Sequence, residues 1–428
     1  MQKSDIRMRG FLKRTPVNTL LSLVKKHSHL LSAEDIPTVE ASGRILAEDI
    51  LSPLNVPDFD RSAMDGYALN AEATFGATSY NPLMFKVVGQ VTPGESYKGV
   101  LKPGEAISIM TGAPVPSGAN AVLMAENAEF SNDHIQVLDA VPPGKHVGKV
   151  GEDIKKNQKL LQQGRCLRPQ DIAVLASVGF TNIKVVKKPE VKLLITGNEL
   201  LKPGEQPCGV QIVDSNSVML TPLINRDGGV LAKVHHVPDD RDLLQKHLSK
   251  SDADLVCMTG GTSVGIEDHG PMLVDELGEL LAHGIPMRPA APTGFGLING
   301  KKIFLLPGNP VSCLSAYDYF VRRSLCMMGG HSEEWPYREK KIILATKISS
   351  EIGRIEYVRL RIENDLAFVI ASGGASILSS TTQADAFLLT EEDSEGFAEG
   401  DEVQVLSLIH ISEPTRPLYI SYAVFCLK

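Results

Sequence analysis

The sequence predicts a multidomain chain of α/β and β architecture, in which one doubly wound α/β domain lies between two β-rich modules. Three observations predict it. Between Pro189 and Gly330, short apolar runs alternate with helical stretches, the texture of strand–helix–strand units around a mostly parallel sheet. From Pro53 to Pro143, and again from Arg338 to Leu406, short apolar pieces alternate with Pro/Gly turns instead, which reads as β structure. The chain has 428 residues, long for one core, so it divides into roughly two to four domains.

The elements follow in order. Thr15 is a candidate N-cap with Pro16 at the first helical position, and Val17, Leu20, Leu21 and Val24 then recur on one helical face. "FKVVGQV", "AISIM" and "AVLMAE" are strands of the first β module. A second helix is predicted over Asp171–Phe180, with a glycine near its end. "VKLLIT", "DLVCMT" and "KIFLLP" read as buried parallel strands, because each is short, apolar and runs straight into a polar or glycine turn. The helices between and after them are "SNSVMLTPLINRDG", "DRDLLQKHLSK" and "PMLVDELGELLAHG". "KIILATKIS", "YVRLRIE", "LAFVIAS", "AFLLT" and "DEVQVL" then form a small barrel or sandwich. The last segment, residues 407–428, has an aromatic density foreign to the rest of the chain. It is either an added edge strand or a non-native tail, and no function is assigned to it.

Composition narrows the function classes. Lys+Arg number 43 against 51 Asp+Glu, for a net charge of -8, and there is no basic run. Nucleic acid and anionic membrane are therefore not expected partners, and an anionic substrate needs a locally basic pocket. No run of about 18 apolar residues suggests a membrane span, and no secretory signal is visible at the N-terminus. The cysteines (Cys166, Cys208, Cys257, Cys313, Cys326, Cys426) lack zinc-ligand spacing and suit a reduced, cytoplasmic setting.

The chemistry gathers at the strand ends of the α/β domain, where such folds bind ligands. "VKLLIT" runs into "GNEL", leaving Asn198 and Glu199 at a strand tip. "DLVCMT" runs into "GGTSVGIED", with Gly260, Gly261, Ser263, Gly265 and Asp268. "KIFLLP" runs into "GNPVS", where Pro310 suits a helix N1 and the turn around Gly308, Asn309 and Ser312 offers amides to an anion. Asp239 and Asp240 of "VPDD" precede a helix. Glu199, Asp239 and Asp268 beside these glycine loops would repel phosphate unless a Mg²⁺ joined them, and Mg²⁺ favours few carboxylates plus substrate phosphates. Asp239 and Asp268 read equally well as N-caps. The loop "TGGTSVG" lacks the Walker A lysine and the GxGxxG spacing, which disfavours an NTPase or a Rossmann dehydrogenase. In the first β module, "PDFDRSAMDGYAL" and "IMTGAPVPSGANAVLM" read as turn-rich strand connections without a nucleophile–base pair.

"FDRSAMDGYA", "MTGAPVPSGANAV", "GEDI", "TGNELL", "GGTSVG" and "PGNPVS" occur in this order, and together they resemble the MoeA family of molybdopterin molybdenumtransferases, relatives of the gephyrin E domain. The resemblance spans Leu12 to Leu406. It implies a homodimer of four subdomains per chain: a helical/extended piece split between residues 12–52 and 144–188, a β module at 53–143, a MogA-like α/β domain at 189–330, and a β-barrel at 338–406. It also implies Mg²⁺-assisted cleavage of adenylylated molybdopterin, with molybdate (or tungstate) supplying the metal for the cofactor and AMP released. A molybdopterin adenylyltransferase and an acceptor molybdoenzyme are the further partners it suggests. By motif, Glu199, Asp239 and Asp268 match acidic positions that handle metal and phosphoanhydride, and Asp153, Asp60 and Thr111 match further active-cleft positions. Arg354 of "GRIEYVR" and Ser376 of "GGASILSS" match residues that hold an oxyanion, a task for which a permanently charged, forked guanidinium is suited.

The chain departs from the family pattern in two places. Asn198 stands where many relatives carry aspartate. In "MRPAAPTGFG" Arg288 replaces the first lysine of a KPGKP pattern and Ala291 the second. Two other functions fit parts of the pattern: a molybdopterin adenylyltransferase or nucleotide pyrophosphatase using the α/β loop alone, and a gephyrin-like non-catalytic scaffold.

Overall fold

The computed structural model describes residues 14–263, 265 and 268–411, with the side chains of 410 and 411 left aside. Leu12, Val264, Cys426 and the segment 412–428 lie outside the described residues.

The first helix spans Val17–His27 and buries Val17, Leu20 and Val24. The predicted start differs by one step: Pro16 occupies the N-cap position without a side-chain cap, and Thr15 lies before it. Thr15 instead donates its amide to Gly284 O at 2.8 Å, so the helix is moored to the α/β domain. Its buried face joins the core formed by Val191, Leu193, Phe295 and Phe304, each such side chain contributing roughly 1.5–3 kcal/mol of burial.

Segments on either side of the first β module pair with each other. Ala33–Pro37 lies antiparallel to Asn182–Val186, and Ile50–Leu51 to Lys159–Leu161. The helix Pro169–Ser177 closes this unit. Buried Asp171 accepts from Arg165 at 2.9 and 3.0 Å and from the Arg168 amide at 2.9 Å. The β module inserted between them is a six-stranded sheet ordered Ala121–Met124, Gly66–Leu69, Glu105–Ile109, Leu83–Val91, His134–Val137, Ala128–Ser131.

The α/β domain contains a six-stranded sheet ordered Val230–Val237, Glu190–Thr196, Leu255–Thr259, Lys301–Leu306, Gly294–Ile298, Glu279–His283. The first four strands are parallel and the last two antiparallel. The helix predicted over "PMLVDELGELLAHG" covers only Gly270–Leu277; the remainder is the edge strand Glu279–His283. At Gly278, where the two meet, a Cβ would lie 1.9 Å from Leu297 O, so a bare backbone is required for the turn onto the sheet. The run "ELLAH" is too short for its apolar period to separate strand from helix.

The C-terminal unit is a closed barrel. Ile355–Glu363, Leu366–Ala371, Tyr337–Leu344, Glu402–Ile411 and Ala386–Leu389 follow one another, and the last pairs with the first. The final strand continues past Leu406, so residues 407–411 belong to the barrel wall and pair with Arg338 and Tyr337.

Two devices set the barrel against the α/β domain. Met287–Arg288 pairs in parallel with Ile355–Glu356. Arg226 also donates to Asp227 and Asp318 at 2.9 and 2.8 Å and to Tyr337 Oη at 2.8 Å, while Tyr337 donates to Asp318 at 2.7 Å. Burial of this network means that removing one partner strands a charge. Among the described residues, no helix is long and apolar enough to cross a membrane.

Candidate active site

Two adjoining cavities open where the parallel strands end against the barrel. The larger, about 600 Å³, is lined by the ends of three strands: Thr196 and Glu199, Thr259 to Ser263, and Pro307 to Pro310. Asp214, Asn216 and Asp268 complete its protein wall from the α/β side, and Ser376 from the barrel. The smaller, about 380 Å³, is lined by Arg14, Arg288 to Pro292, Ser312, Arg354 and the barrel loop Gly373–Ala375. Pro292, Pro307 and Asn309 belong to both, so the cavities share a wall.

Their charges are opposite. Glu199, Asp214 and Asp268 are the charged residues lining the larger cavity; Arg14, Arg288 and Arg354 are those lining the smaller. Arg288 has a carboxylate, Glu356, at 4.0 Å, and Arg354 pairs closely with Glu351. The Arg288 guanidinium lies against Gly373, where an added Cβ would come within 3.1 Å of it. Behind the same loop, fully buried Arg359 donates to Gly373 O and leaves Nε and Nη1 unpartnered. Burial holds the Arg359 pKa below its usual value, and no carboxylate offsets its charge among the described residues.

The glycine loop is shaped by close approaches. Gly260 has φ +80°, and a Cβ there would meet Thr196 O at 2.1 Å; only glycine lets these two strand ends touch. Thr262 Oγ1 donates to Leu306 O at 2.9 Å, and His283 Nε2 lies 2.8 Å from Thr262 O. Burial lowers the His283 pKa, so its imidazole is neutral at pH 7. Gly265 does not line either cavity; its amide donates to Asp268 Oδ2 at 2.5 Å. Asp268 therefore closes the loop and does not cap the following helix. Asn216 Nδ2 donates to Gly308 O at 2.7 Å and orients the "PGNP" turn. Pro310 begins the helix Pro310–Ala316 with Asn309 as N-cap residue. One expected free amide there is taken, since Val311 N donates to Ala375 O at 3.0 Å.

The choice between ligand and cap at "VPDD" also resolves. Asp240 is the N-cap, accepting from Leu243 N at 2.8 Å. Asp239 faces the Asn198 loop: Asn198 N donates to Asp239 Oδ2 at 3.2 Å, and Asp239 N to Asn198 Oδ1 at 3.1 Å. Its Oδ1 would lie 3.7 Å from a Cβ on Gly261, next to the larger cavity.

The predicted three-carboxylate metal set is not assembled. Among the described residues, no group of three or more His, Cys, Asp and Glu side chains is close enough to hold one ion. Glu199 and Asp268 share the cavity, while Asp239 stands behind Gly261 and is engaged with Asn198. This donor set fits an Mg²⁺ only with a carboxylate or two from the protein and the rest from substrate phosphate and water, which is its common mode.

Asp60, Thr111 and Asp153 line neither cavity. Asp60 and Thr111 belong to the β module, and Asp153 to the segment that follows it. Asp60 accepts from Lys149 Nζ at 2.8 Å and Val150 N at 3.0 Å, and the lysine holds its carboxyl below the usual range. Thr111 donates its amide and hydroxyl to Asp65 Oδ1 at 2.7 and 2.9 Å. Asp153 N donates to Val56 O at 3.1 Å. Sequence reasoning missed Arg14, Thr196, Asp214 and Asn216. Thr196 and Thr259 are buried, with hydroxyls lacking a partner in the protein, as is Asn216 Oδ1. Polar atoms orphaned at a cavity wall await a ligand or water.

The chain matches three family domains: the MoeA N-terminal region (domain I and II) over residues 15–179, a probable molybdopterin binding domain over 192–326, and the MoeA C-terminal region (domain IV) over 341–408. It is 33% identical over 387 residues to molybdopterin molybdenumtransferase 2 of Mycobacterium tuberculosis, covering 87% of this chain and 94% of that one. It is 29% identical over 408 residues to the molybdopterin molybdenumtransferase of Haemophilus influenzae, covering 92% and 100%. A crystal structure of a molybdopterin biosynthesis MoeA protein from Pyrococcus horikoshii superimposes with TM-score 0.80 at 36% identity, covering 92% of this chain and 99% of that one.

Proposed function

The chain belongs to the MoeA family of molybdopterin molybdenumtransferases, and from that premise we propose that it inserts molybdenum into adenylylated molybdopterin. One observation carries the reading: an acidic, glycine-looped cavity shares a wall with a cavity lined by three arginines. A phosphoanhydride beside a dianionic oxyanion needs that division, because a single basic pocket would bind both anions without keeping them apart.

The anhydride lies by Gly260, Gly261 and Ser263, whose turn exposes backbone to phosphate. Mg²⁺, when bound, neutralises phosphate charge and stabilises the AMP leaving group; Glu199 and Asp268 would hold it, with Asp239 supporting the loop. Arg354 and Arg288 hold molybdate across the shared wall with Ser312, each guanidinium offering a fork of donors. Ser376 faces the anhydride side of that wall. Water attacks the pterin-side phosphorus of the anhydride, the phosphorus–oxygen bond to the bridging oxygen breaks and AMP leaves. Separately, the two dithiolene thiols displace one oxygen of molybdate, which departs as water with their two protons, leaving the metal at its original oxidation state on the two sulfurs. Among the described residues lining the two cavities there is no histidine or lysine to act as a general base, so in this reading positioning and electrostatics supply most of the acceleration. Tungstate has the same shape and charge and enters the same pocket.

Because Asp60, Thr111 and Asp153 line neither cavity, their part in the reaction requires a second copy that brings its β module and the adjoining segment 144–188 to the cleft. The active species in this reading is a homodimer. A purified-protein assay tests the proposal: AMP appears from adenylylated molybdopterin only with both Mg²⁺ and molybdate present. Folded protein that leaves the anhydride intact under those conditions contradicts it.

A further inference from the structure

The smaller cavity holds a cation that motif comparison does not anticipate. Arg14 precedes the first helix, far in sequence from every other residue of the cleft, yet it lines this cavity with Arg288, Ala291 and Arg354. Its position is set by backbone. Thr15 N donates to Gly284 O at 2.8 Å; Gly284 N in turn donates to Thr293 O, and Ile285 N to Ala291 O, both at 2.9 Å. The root of Arg14 is thus tied through one turn to the loop that carries Ala291. Behind it, buried Val17 and Leu20 anchor the helix in the α/β core.

The other two arginines of the cavity are partly offset: Arg354 is paired with Glu351, and Arg288 faces Glu356 at 4.0 Å. Arg14 has no carboxylate partner among the described residues. Ala291 contributes no donor at all. Among the described residues, the least compensated positive charge at the cavity therefore comes from Arg14, and a tetrahedral dianion needs donors from more than one side.

We propose that Arg14 is an oxyanion-binding residue of this chain, supplying from the N-terminal segment the cationic contact that Ala291 cannot make. The inference rests on reading the smaller cavity as the oxyanion site. It makes the mooring of the first helix part of the binding site, so oxyanion affinity depends on a segment outside the α/β domain and the barrel.

The test is equilibrium dialysis of the full chain against molybdate, and separately tungstate, with bound metal measured by elemental analysis. Loss of a charge-assisted contact predicts about a tenfold rise in half-saturating molybdate for R14Q. R14K, which keeps the charge but not the fork, should fall between wild type and R14Q. A291K should restore most of the binding in the R14Q background. R354Q serves as the reference: if it weakens binding while R14Q does not, the role of Arg14 is overturned and the cavity assignment stands. If neither variant changes binding, the cavity assignment fails and the inference fails with it. If R14K is as weak as R14Q and both melt earlier than wild type, Arg14 is structural and the inference is overturned.

Discussion

Gly260→Ala should separate the geometry of the glycine loop from its composition. The added methyl would lie 2.1 Å from Thr196 O and 3.0 Å from Thr196 Oγ1, at a residue whose φ is +80°. An L side chain in that region costs about 1–2 kcal/mol. Relieving the overlap with a backbone oxygen requires the two strand ends to part by about 1 Å, an overpacking cost of about 1–3 kcal/mol. The sum is about 2–5 kcal/mol of local destabilisation, read as an earlier thermal transition. The functional loss should be larger, because a misplacement of about 1 Å beside a reacting group can lower the rate about 100-fold. Gly308→Ala is the control. Its methyl would meet Gly260 Cα at 3.4 Å, an ordinary contact, and Gly308 has no positive φ. That variant should lose less than about 1 kcal/mol. The assay is AMP release from adenylylated molybdopterin, alongside calorimetry of both variants. A Gly260→Ala protein with wild-type melting and a rate within about twofold would refute the steric argument.

Further outcomes follow from individual side chains. Burial pushes the Asp171 carboxyl up, but hydrogen bonds from Arg165 and Arg168 outweigh it and bring the pKa from 3.8 to about 2. A depressed folded pKa stabilises the fold above the unfolded value and loses that contribution as pH falls through about 2. D171N should therefore cost about 2 kcal/mol at neutral pH, with the gap to wild type in denaturant titrations narrowing below pH 4. E199Q should raise the Mg²⁺ needed for half-maximal AMP release about tenfold or more without shifting the melting temperature; an unchanged Mg²⁺ requirement would remove Glu199 from the metal. N198D keeps an acceptor for Asp239 N and adds a negative charge at the loop, so the Mg²⁺ requirement should fall severalfold. A291K alone should lower the half-saturating molybdate concentration, and no change would make the alanine functionally silent.

The parallel strands were legible because burial on both faces leaves near-continuous apolar runs, as in Val191–Ile195 and Leu255–Met258. Their polar exits then located the glycine loop, Glu199 and the "PGNP" turn without reference to any structure. Local pattern failed where long-range contacts decide. "ELLAH" is a strand because Gly278 lets it close onto Leu297. Asp240 is the cap and not Asp239, because Asn198, 41 residues earlier, takes the latter. Arg14 was invisible for the same reason: its neighbours in the cavity are residues 288–292, 354 and 373–375, and only the mooring of Thr15 to Gly284 brings it there. The carboxylates were found as a set, but their distribution was not. Backbone register at the strand tips, which one sequence does not encode locally, puts Glu199 and Asp268 in the cavity and Asp239 behind it.

The central claim is that two oppositely charged cavities couple cleavage of an anhydride to transfer of a metal. A single-turnover experiment tests it most directly: adenylylated molybdopterin bound to the protein, molybdate and Mg²⁺ added, and both AMP and pterin-bound molybdenum quantified over time. The account predicts that the two products rise together in equal amounts and that neither rises without molybdate. AMP released with no molybdenum in the pterin, or release indifferent to molybdate, would contradict it.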